Sequence, residues 1–119
     1  MAKPDEWIGF DFDGTLVKKP DRWKGLDYIG PPIEPMVKLA RKYIERGVTV
    51  KIVTARATRE EGIAPVKQWC IDNLGKELEV TNQKDMGMKA LYDDRAKQVI
   101  PNTGILLEEA LISMYESIK

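Results

Sequence analysis

Short apolar runs alternate along the chain with longer stretches in which apolar residues recur at helical spacing. The runs predict strands and the spaced stretches predict helices. The predicted strands cover residues 7–12, 48–53, 78–81 and 90–92, and the predicted helices cover 33–46, 63–74 and a segment from Ile105. Prolines are expected to open the first two helices and glycines to end them, at Pro35, Pro65, Gly47 and Gly75. The last helix is expected to turn five apolar residues inward, namely Leu107, Leu111, Met114, Tyr115 and Ile118.

This alternation predicts an α/β fold with a mostly parallel sheet and helices on both of its faces. The chain has 119 residues, which suits one domain over residues 1–119, because two domains would each bury too little apolar surface. In parallel sheets, binding sites lie beyond the carboxyl ends of the strands. Polar residues that directly follow a predicted strand are therefore the first candidates for function.

Composition narrows the chemistry available to the chain. It has no histidine and a single cysteine, Cys70, which excludes histidine-based triads and zinc sites built from histidines or several cysteines. Cys70 fits a helical apolar pattern and is expected to be buried. Nineteen basic residues balance nineteen acidic ones, which argues against strong non-specific binding of nucleic acid. No apolar run suits a membrane span or a signal peptide, so we expect a cytoplasmic protein.

Asp11 and Asp13 follow the first predicted strand and are candidates for catalysis. Side chains two residues apart in a strand point to the same side, and a turn that begins at Asp13 brings its carboxylate over that of Asp11. One carboxylate can attack a phosphorus atom while the other carries a proton to and from the leaving oxygen. Gly14 allows the sharp turn. The alternative is an ordinary Asp-Gly turn at a strand end.

Asp93 and Asp94 follow the last predicted strand. Two adjacent carboxylates repel each other and need a cation or solvent nearby. Together with Asp11 they form the set of hard oxygen ligands that Mg²⁺ prefers. A bound Mg²⁺ neutralises phosphate and allows an anionic nucleophile to approach it. The alternative is a solvated loop in which one aspartate caps a helix.

Hydroxyl and cationic side chains near the other strand ends are candidates for binding phosphate. Thr54 can donate its hydroxyl to a phosphate oxygen, and Lys84 can neutralise the charge that builds up during the reaction. Arg56 and Arg95 can hold phosphate oxygens in bidentate pairs. The alternatives are a helix cap at Thr54 and surface positions for the three cationic residues.

Together these segments resemble the four motifs of the haloacid dehalogenase (HAD) superfamily of phosphatases. The first motif matches IGFDFDGTL, the second KIVTAR, the third the lysine of TNQKD and the fourth ALYDD. The resemblance covers roughly residues 7–100, and the first motif is the most specific. It implies a Rossmann-like HAD core, a three-layer α/β/α arrangement with about four to five strands.

The resemblance also implies an activity: a Mg²⁺-dependent phosphatase that hydrolyses phosphomonoesters through an aspartyl-phosphate on Asp11. Asp13 is implied to act as general acid and then as base, and its backbone carbonyl to ligate the metal. The implied metal ligands are Asp11 and Asp13, completed by Asp93, by Asp94 or by both. The substrate phosphate is expected to contact Thr54, Lys84 and Arg56, with Lys89 as the rival to Lys84 for the motif lysine.

Larger HAD members carry a cap domain after the first motif or between the second and third. Both intervals are short here, so the resemblance implies a capless member whose open site admits bulky substrates or is covered by another subunit of a homo-oligomer. The loop over residues 17–32 contains Trp23 and several cations and is expected to form a small flap, with an aromatic ring for stacking on a base. The alternative is that its aromatic residues anchor it to the core.

The substrate is the least constrained feature. The run YDDRAKQVI resembles the phosphatase domains of phage polynucleotide kinases, which favours a nucleotide or a nucleic-acid end over other phosphorylated metabolites. A receiver-like or non-catalytic phosphate-binding regulatory module is the alternative function, because such domains also accept phosphate on an aspartate. Asp13 distinguishes the two, since a receiver keeps its phosphate and needs no second acid. Halide-cleaving HAD members generally lack that second aspartate.

Overall fold

Four parallel strands form one sheet in the computed structural model, which describes residues 5–118 of the chain. The strands are β1 (Trp7–Phe10), β2 (Val50–Val53), β3 (Glu79–Thr81) and β4 (Met88–Tyr92), and their order in the sheet is β3-β2-β1-β4. Each neighbouring pair is parallel. The predicted α/β class is confirmed, as a small Rossmann-like domain with no cap among the described residues. Residues 1–4 and 119, which the single-domain prediction includes, lie outside that part.

Helices α1 (Glu34–Glu45) and α2 (Glu60–Leu74) contact each other and cover one face of the sheet. Strand residues from this face share the buried core with residues of both helices. The strand residues are Phe10, Val50, Ile52 and Val80, and the helical residues are Val37, Ala40, Val66, Trp69, Cys70 and Leu74. Right-handed crossovers from β1 to β2 and from β2 to β3 place both connecting helices on the same side. The expected burial of Cys70 is confirmed, and burial raises the pKa of its thiol to about 12.

The opposite face of the sheet is partly exposed. Trp7, Val53 and Leu91 surround Gly9 there, and a Cβ atom added to Gly9 would lie 3.0 Å from carbon atoms of Trp7 and Leu91. Lys51 extends over the Trp7 ring, with its Nζ atom 4.6 Å from the ring centroid. This face therefore combines apolar packing with a cation–π contact, and it leaves Val53 and Leu91 half-buried.

Most element boundaries agree with the sequence prediction within two or three residues. Gly47 and Gly75 end their helices in the left-handed region, with φ of +80° and +77°. The prediction that Pro65 opens the second helix is wrong. A short 3₁₀ turn over Ala55–Thr58 leads directly into α2, so this helix begins a turn earlier and Pro65 lies inside it.

Helix α3 (Leu107–Ser117) differs most from the prediction. None of its residues is buried, and the inward orientation expected for five apolar residues is wrong. Leu111, Met114, Tyr115 and Ile118 are between 55% and 80% exposed. A short antiparallel contact holds the start of α3, because Leu107 N–H donates to the Gln98 carbonyl at 2.9 Å. The helical periodicity identified the element but not what its apolar side faces.

No helix within residues 5–118 has the length and apolar character needed to cross a membrane.

The different environments of two leucines give a direct test of this packing. Leu74 is 6% exposed, so Leu74→Ala is expected to lower the free energy of unfolding by about 2–5 kcal/mol. Leu111 is 55% exposed, so Leu111→Ala is expected to change it by no more than about 0.5 kcal/mol. Urea unfolding of both variants measures the difference. An equal loss in Leu111→Ala would contradict the exposed position of α3.

Candidate active site

The carboxyl ends of β1 and β4 bring three aspartates together. The Asp11 N–H donates to the Tyr92 carbonyl at 2.8 Å, which extends the pairing of β1 and β4 by one residue and holds Asp11 beside Asp93. One carboxylate oxygen from each of Asp11, Asp93 and Asp94 lies within 4.8 Å of the others. The predicted convergence of these two strand ends is therefore present in the fold.

Tyr92, the residue before Asp93, is fixed from two sides. Its ring stacks on Phe10 with centroids 4.8 Å apart, and its hydroxyl lies 2.7 Å from the hydroxyl of Tyr43 on α1. These contacts join the end of β4 to the buried core and to α1. They fix the backbone from which Asp93 and Asp94 extend.

A tight turn after β1 closes the other side of the cluster. The Phe12 carbonyl accepts hydrogen bonds from three successive N–H groups, those of Thr15, Leu16 and Val17. Gly14 lies at φ +91°, a conformation that favours glycine, and a Cβ atom there would lie 2.6 Å from Asp94 Oδ2 and displace that side chain. The Thr15 hydroxyl lies 3.4 Å from Asp11 Oδ2 and 3.2 Å from Asp94 Oδ1.

The proximity of the carboxylates changes their protonation. Burial raises the pKa of Asp11 to about 7, with further contributions from its hydrogen bond with Asp94 and from the negative charges of Asp93 and Asp94. Lys19 has the opposite effect on Asp94: its Nζ atom lies 2.9 Å from Asp94 Oδ2, and this contact lowers the pKa of Asp94 to about 2. In the absence of a further cation, the proton of the hydrogen bond between Asp11 and Asp94 therefore belongs to Asp11.

Asp13 faces a different partner. Arg56 Nε donates to Asp13 Oδ2 at 2.7 Å and Arg56 Nη2 donates to Asp13 Oδ1 at 2.9 Å, which makes a bidentate pair. Arg56 also donates to the carbonyls of Leu26 and Tyr28, at 3.0 and 2.8 Å. Its guanidinium lies between the rings of Phe12 and Trp23, 5.5 and 5.0 Å from their centroids.

The prediction that Arg56 holds phosphate in a bidentate pair is therefore corrected. Arg56 is 4% exposed, and four hydrogen bonds to protein acceptors leave at most one of its five N–H groups for a ligand. Its fork is occupied by Asp13. In this structure Arg56 joins the loop over residues 17–32 to the turn after β1.

Thr54 agrees with both readings of the sequence. Its hydroxyl oxygen accepts a hydrogen bond from the Arg56 N–H at 3.1 Å, which caps the 3₁₀ turn. The same residue, which is 4% exposed, lines a cavity of about 480 Å³. The cap uses the oxygen as an acceptor and leaves the hydroxyl proton available to a phosphate oxygen.

The cavity brings together most of the predicted site residues. It is lined by Asp11, Asp13, Thr54, Arg56, Asp93 and Arg95, and also by Lys19, Pro20, Trp23, Leu26 and Ala55. Asp94 belongs to the carboxylate cluster beside it. The cavity therefore combines acidic side chains, three cationic side chains in Lys19, Arg56 and Arg95, and an apolar wall from the loop over residues 17–32.

Lys84 and its rival Lys89 are not among the residues that line this cavity. Lys84 is exposed in the connection between β3 and β4, and its neighbour Asp85 accepts a hydrogen bond from Trp7 Nε1 at 2.8 Å. Trp7 begins β1, so Asp85 lies near the amino edge of the sheet, and the structure does not bring Lys84 into the cavity. A phosphate contact of Lys84 stays a prediction, and Lys19 is the lysine that contacts the carboxylates.

Two contributors were not identified from the sequence. Lys19 is one of several cations in the loop over residues 17–32, and no pattern distinguishes it from its neighbours. Thr15 belongs to the DFDGT run but has no role that its residue type alone reveals. Both act through a turn whose path depends on tertiary contacts.

The donor set suits a hard divalent cation. Carboxylate oxygens from Asp11, Asp93 and Asp94 are the ligands that Mg²⁺ or Ca²⁺ takes in proteins, and no sulfur or nitrogen ligand is close enough to join them among residues 5–118. The Asp13 carboxylate is engaged by Arg56 and is not part of this group. For Asp13, the predicted metal contact is left to its backbone carbonyl.

Comparison with known proteins adds support for the fold. No protein-family model matches the chain, and no curated protein is significantly similar in sequence. A solved structure of a conserved protein from Bacteroides thetaiotaomicron is similar, with a TM-score of 0.57 over 94% of this chain and 90% of that one. The two sequences are 21% identical, so the likeness concerns the fold alone.

The raised pKa of Asp11 predicts a pH dependence of stability. Because the pKa in the folded state, about 7, exceeds the ordinary value of 3.8, the folded chain keeps a proton that the unfolded chain has lost between these values. Without divalent cations, the stability of the protein is therefore expected to fall as pH rises from 5 to 7, by less than the ~1.4 kcal/mol per pH unit of a fully buried group, because Asp11 is half-buried and solvent screens its charge. Asp11→Asn should remove this contribution. Urea unfolding in EDTA at several pH values tests it, and parallel profiles for the two proteins would contradict the assignment.

Arg56 is expected to tolerate no conservative replacement. Arg56→Lys loses the bidentate pair with Asp13 and at least one carbonyl contact, so we expect the free energy of unfolding to fall by more than about 2 kcal/mol. The loop over residues 17–32 should also become sensitive to limited proteolysis. Arg59→Lys, at an exposed position, is the matched control and should change stability by less than about 0.5 kcal/mol. Equal effects of the two substitutions would contradict the role of Arg56.

Proposed function

We propose that the protein is a Mg²⁺-dependent phosphatase of the HAD type, an enzyme that hydrolyses phosphoric monoesters through an aspartyl-phosphate on Asp11. The observation that carries this proposal is the position of Asp11. It lies at the end of a central strand, belongs to a three-carboxylate cluster, and lines an open cavity together with a second acid two residues later. This combination suits an anionic nucleophile better than it suits a structural turn.

The chemistry follows from two carboxylates. An oxygen of Asp11 attacks the phosphorus, the bond from phosphorus to the ester oxygen breaks, and the leaving oxygen takes a proton from Asp13. Asp13 then accepts a proton from a water molecule that attacks the phosphorus of the aspartyl-phosphate. The phosphorus–oxygen bond to Asp11 breaks, inorganic phosphate leaves, and both aspartates return to their starting states.

Charge neutralisation falls to the residues around Asp11. Asp11, Asp93 and Asp94 would hold Mg²⁺, which when bound supplies positive charge to the phosphate and to the nucleophile. Lys19 would contribute a second positive charge from the loop over residues 17–32, in the role that the sequence assigned to Lys84. The Thr54 hydroxyl would donate to a phosphate oxygen.

The bidentate pair of Asp13 with Arg56 places a condition on this mechanism. Both carboxylate oxygens of Asp13 accept from Arg56, so neither is free to exchange a proton with the substrate in this arrangement. Catalysis requires the Asp13 side chain to rotate away from Arg56 and to take up a proton from solvent, because the carboxylate that pairs with Arg56 has no proton to give to the leaving oxygen. The observed pair is then the resting state, and the two hydrogen bonds from Arg56 to the Leu26 and Tyr28 carbonyls hold the loop in place while Asp13 moves.

The substrate class, the compartment and the oligomeric state are less closely constrained than the chemistry. The open cavity would accommodate a nucleotide, a nucleic-acid end or another phosphorylated metabolite. We extend the proposal to a cytoplasmic enzyme, which fits a single cysteine that is buried. A homo-oligomer in which a second subunit covers the cavity would replace the missing cap.

The alternative function is a receiver-like or non-catalytic phosphate-binding regulatory module. The pairing of Asp13 with Arg56 is the observation that favours it, because an acid held in this way does not assist hydrolysis. A chain with this arrangement throughout would keep a phosphoryl group on Asp11 rather than release it.

Three substitutions separate these functions. Asp11→Asn should reduce Mg²⁺-dependent release of phosphate from an aryl phosphate to the background rate, because the nucleophile is lost. Asp13→Asn should reduce it by roughly 10²–10⁴-fold, the usual contribution of a general acid–base group. Asp72→Asn, on the exposed side of α2, is the control and should retain full activity.

The outcomes are distinct. Undiminished phosphate release by Asp11→Asn would disprove the nucleophile. A wild-type protein that becomes phosphorylated on Asp11 by acetyl phosphate, yet releases no phosphate from any ester, would establish the regulatory alternative.

A further inference from the structure

Trp23 lies at the rim of the cavity with one side of its ring occupied and much of the rest exposed. The Arg56 guanidinium lies 5.0 Å from the ring centroid, and yet 61% of the residue is exposed to solvent. The alternative in which the aromatic residues of this loop anchor it to the core therefore does not describe Trp23. A large aromatic ring that is supported on one side and open elsewhere is a platform for a second planar group.

The Trp23 ring rests on a well-anchored side chain. Arg56, whose guanidinium lies over the ring, is buried and donates to the backbone carbonyls of Leu26 and Tyr28 on the same loop. Lys24 Nζ lies 4.7 Å from the Tyr28 ring centroid, which adds a contact within the loop. Because these contacts already order the loop, a ligand that stacks on Trp23 does not have to pay for ordering it.

The cavity beside Trp23 is larger than a phosphate group requires. Its volume of about 480 Å³ falls in the range of sites for whole small molecules. Asp11 and Thr54 are at the end where phosphate is expected, whereas Pro20, Trp23 and Leu26 give the rest of the wall an apolar surface. The site therefore combines a place for phosphate with an apolar surface for the group attached to it.

We propose that this site takes a nucleoside monophosphate, with its base stacked on Trp23 and its phosphate directed to Asp11. This proposal rests on the proposed phosphatase function and specifies the substrate class of the same site. Lys19 and Arg95 line the cavity and complement the charge of the phosphate. A sugar phosphate without a base would fill the phosphate end and leave Trp23 uncovered.

A second groove continues beyond Trp23. It has a volume of about 410 Å³ and is lined by residues that include Trp23, Thr58 and Arg59. A free mononucleotide leaves this groove empty, whereas the end of an oligonucleotide can extend into it and place its next phosphate near Arg59. The two sources of the same terminal nucleotide can therefore be distinguished experimentally.

Tryptophan fluorescence gives a test that does not depend on turnover. Trp7 and Trp69 are 2% and 7% exposed, so a quencher that stacks at the rim acts mainly on Trp23. In the Asp11→Asn variant with Mg²⁺, adenosine 5′-monophosphate is expected to quench this emission. It should bind roughly 5- to 150-fold more tightly than ribose 5-phosphate, as expected for one stacked base. Calorimetric titration measures both affinities.

Variants at Trp23 separate stacking from a structural role. Trp23→Ala should abolish the preference for the nucleotide and leave the affinity for ribose 5-phosphate unchanged, and Trp23→Phe should restore part of the preference. Equal affinities of the protein with Trp23 intact for adenosine 5′-monophosphate and ribose 5-phosphate would overturn the proposal. So would an equal loss for both ligands in Trp23→Ala, because that result would mean that Trp23 only positions Arg56.

A 5′-phosphorylated dinucleotide identifies the source of the ligand. Affinity equal to that of the mononucleotide supports a free nucleotide, and tighter binding that is lost in Arg59→Ala supports a nucleic-acid end. The phosphatase function and the preference for a nucleotide can fail separately. If the protein hydrolyses aryl phosphate but shows no preference for a base, the phosphatase function stands and the nucleotide proposal is wrong. If the protein binds the base preferentially but hydrolyses no ester, the phosphatase function is wrong and the nucleotide preference stands.

Discussion

Three carboxyl side chains meet at the carboxyl ends of β1 and β4, and holding them side by side, partly out of water, is the constraint around which the site is organised. The parallel pairing of the two strands brings Asp11 and Asp93 to the same edge, and the hydrogen bond from Asp11 N–H to Tyr92 holds them there. Such a cluster needs protons or cations to be stable. Two features meet part of that need: the raised pKa of Asp11 means that it keeps its proton more readily, and the Lys19 ammonium group contacts Asp94.

The Arg56 side chain organises the other half of the site. It pairs with Asp13, donates to two carbonyls of the loop over residues 17–32, and makes a cation–π contact with the ring of Trp23. The catalytic acid that we propose, the loop and the rim of the cavity are thus connected through one buried guanidinium. A loop held by these contacts, with a carboxylate that rotates as we propose, suits a site that no cap domain covers within residues 5–118, since substrate can enter while the wall of the cavity keeps its shape.

The sequence was sufficient to predict the fold class, the four strands and the aspartates of the cluster. The strands are apolar runs with clear ends, and the rule that parallel strands open on one edge relates residues 11 and 93 without further information. The environment of Arg56 was not predictable, because its partners Leu26 and Tyr28 contribute backbone carbonyls, which no side-chain pattern encodes. Lys84 lies outside the cavity for a related reason: the sequence places it after a strand but does not show that its neighbour Asp85 bonds to Trp7 near the amino edge of the sheet.

Helix α3 shows the same limit for packing. Its spacing of apolar residues correctly predicts a helix, but amphipathicity specifies only that one side prefers an apolar neighbour. Whether that neighbour is the chain's own sheet is decided by the connection before it, where a short antiparallel contact between Val99 and Leu106 directs the helix away. Solvent-exposed Leu111 and Ile118 are the result.

Transfer of the phosphoryl group to Asp11 is the step on which the proposed function depends, and rapid acid quenching followed by mass spectrometry detects it. During turnover of an aryl phosphate with Mg²⁺, we expect a phosphoryl group on the peptide that contains Asp11, formed and lost at rates compatible with turnover. Hydrolysis without any phosphorylated peptide, or with the phosphoryl group on another residue, would contradict it.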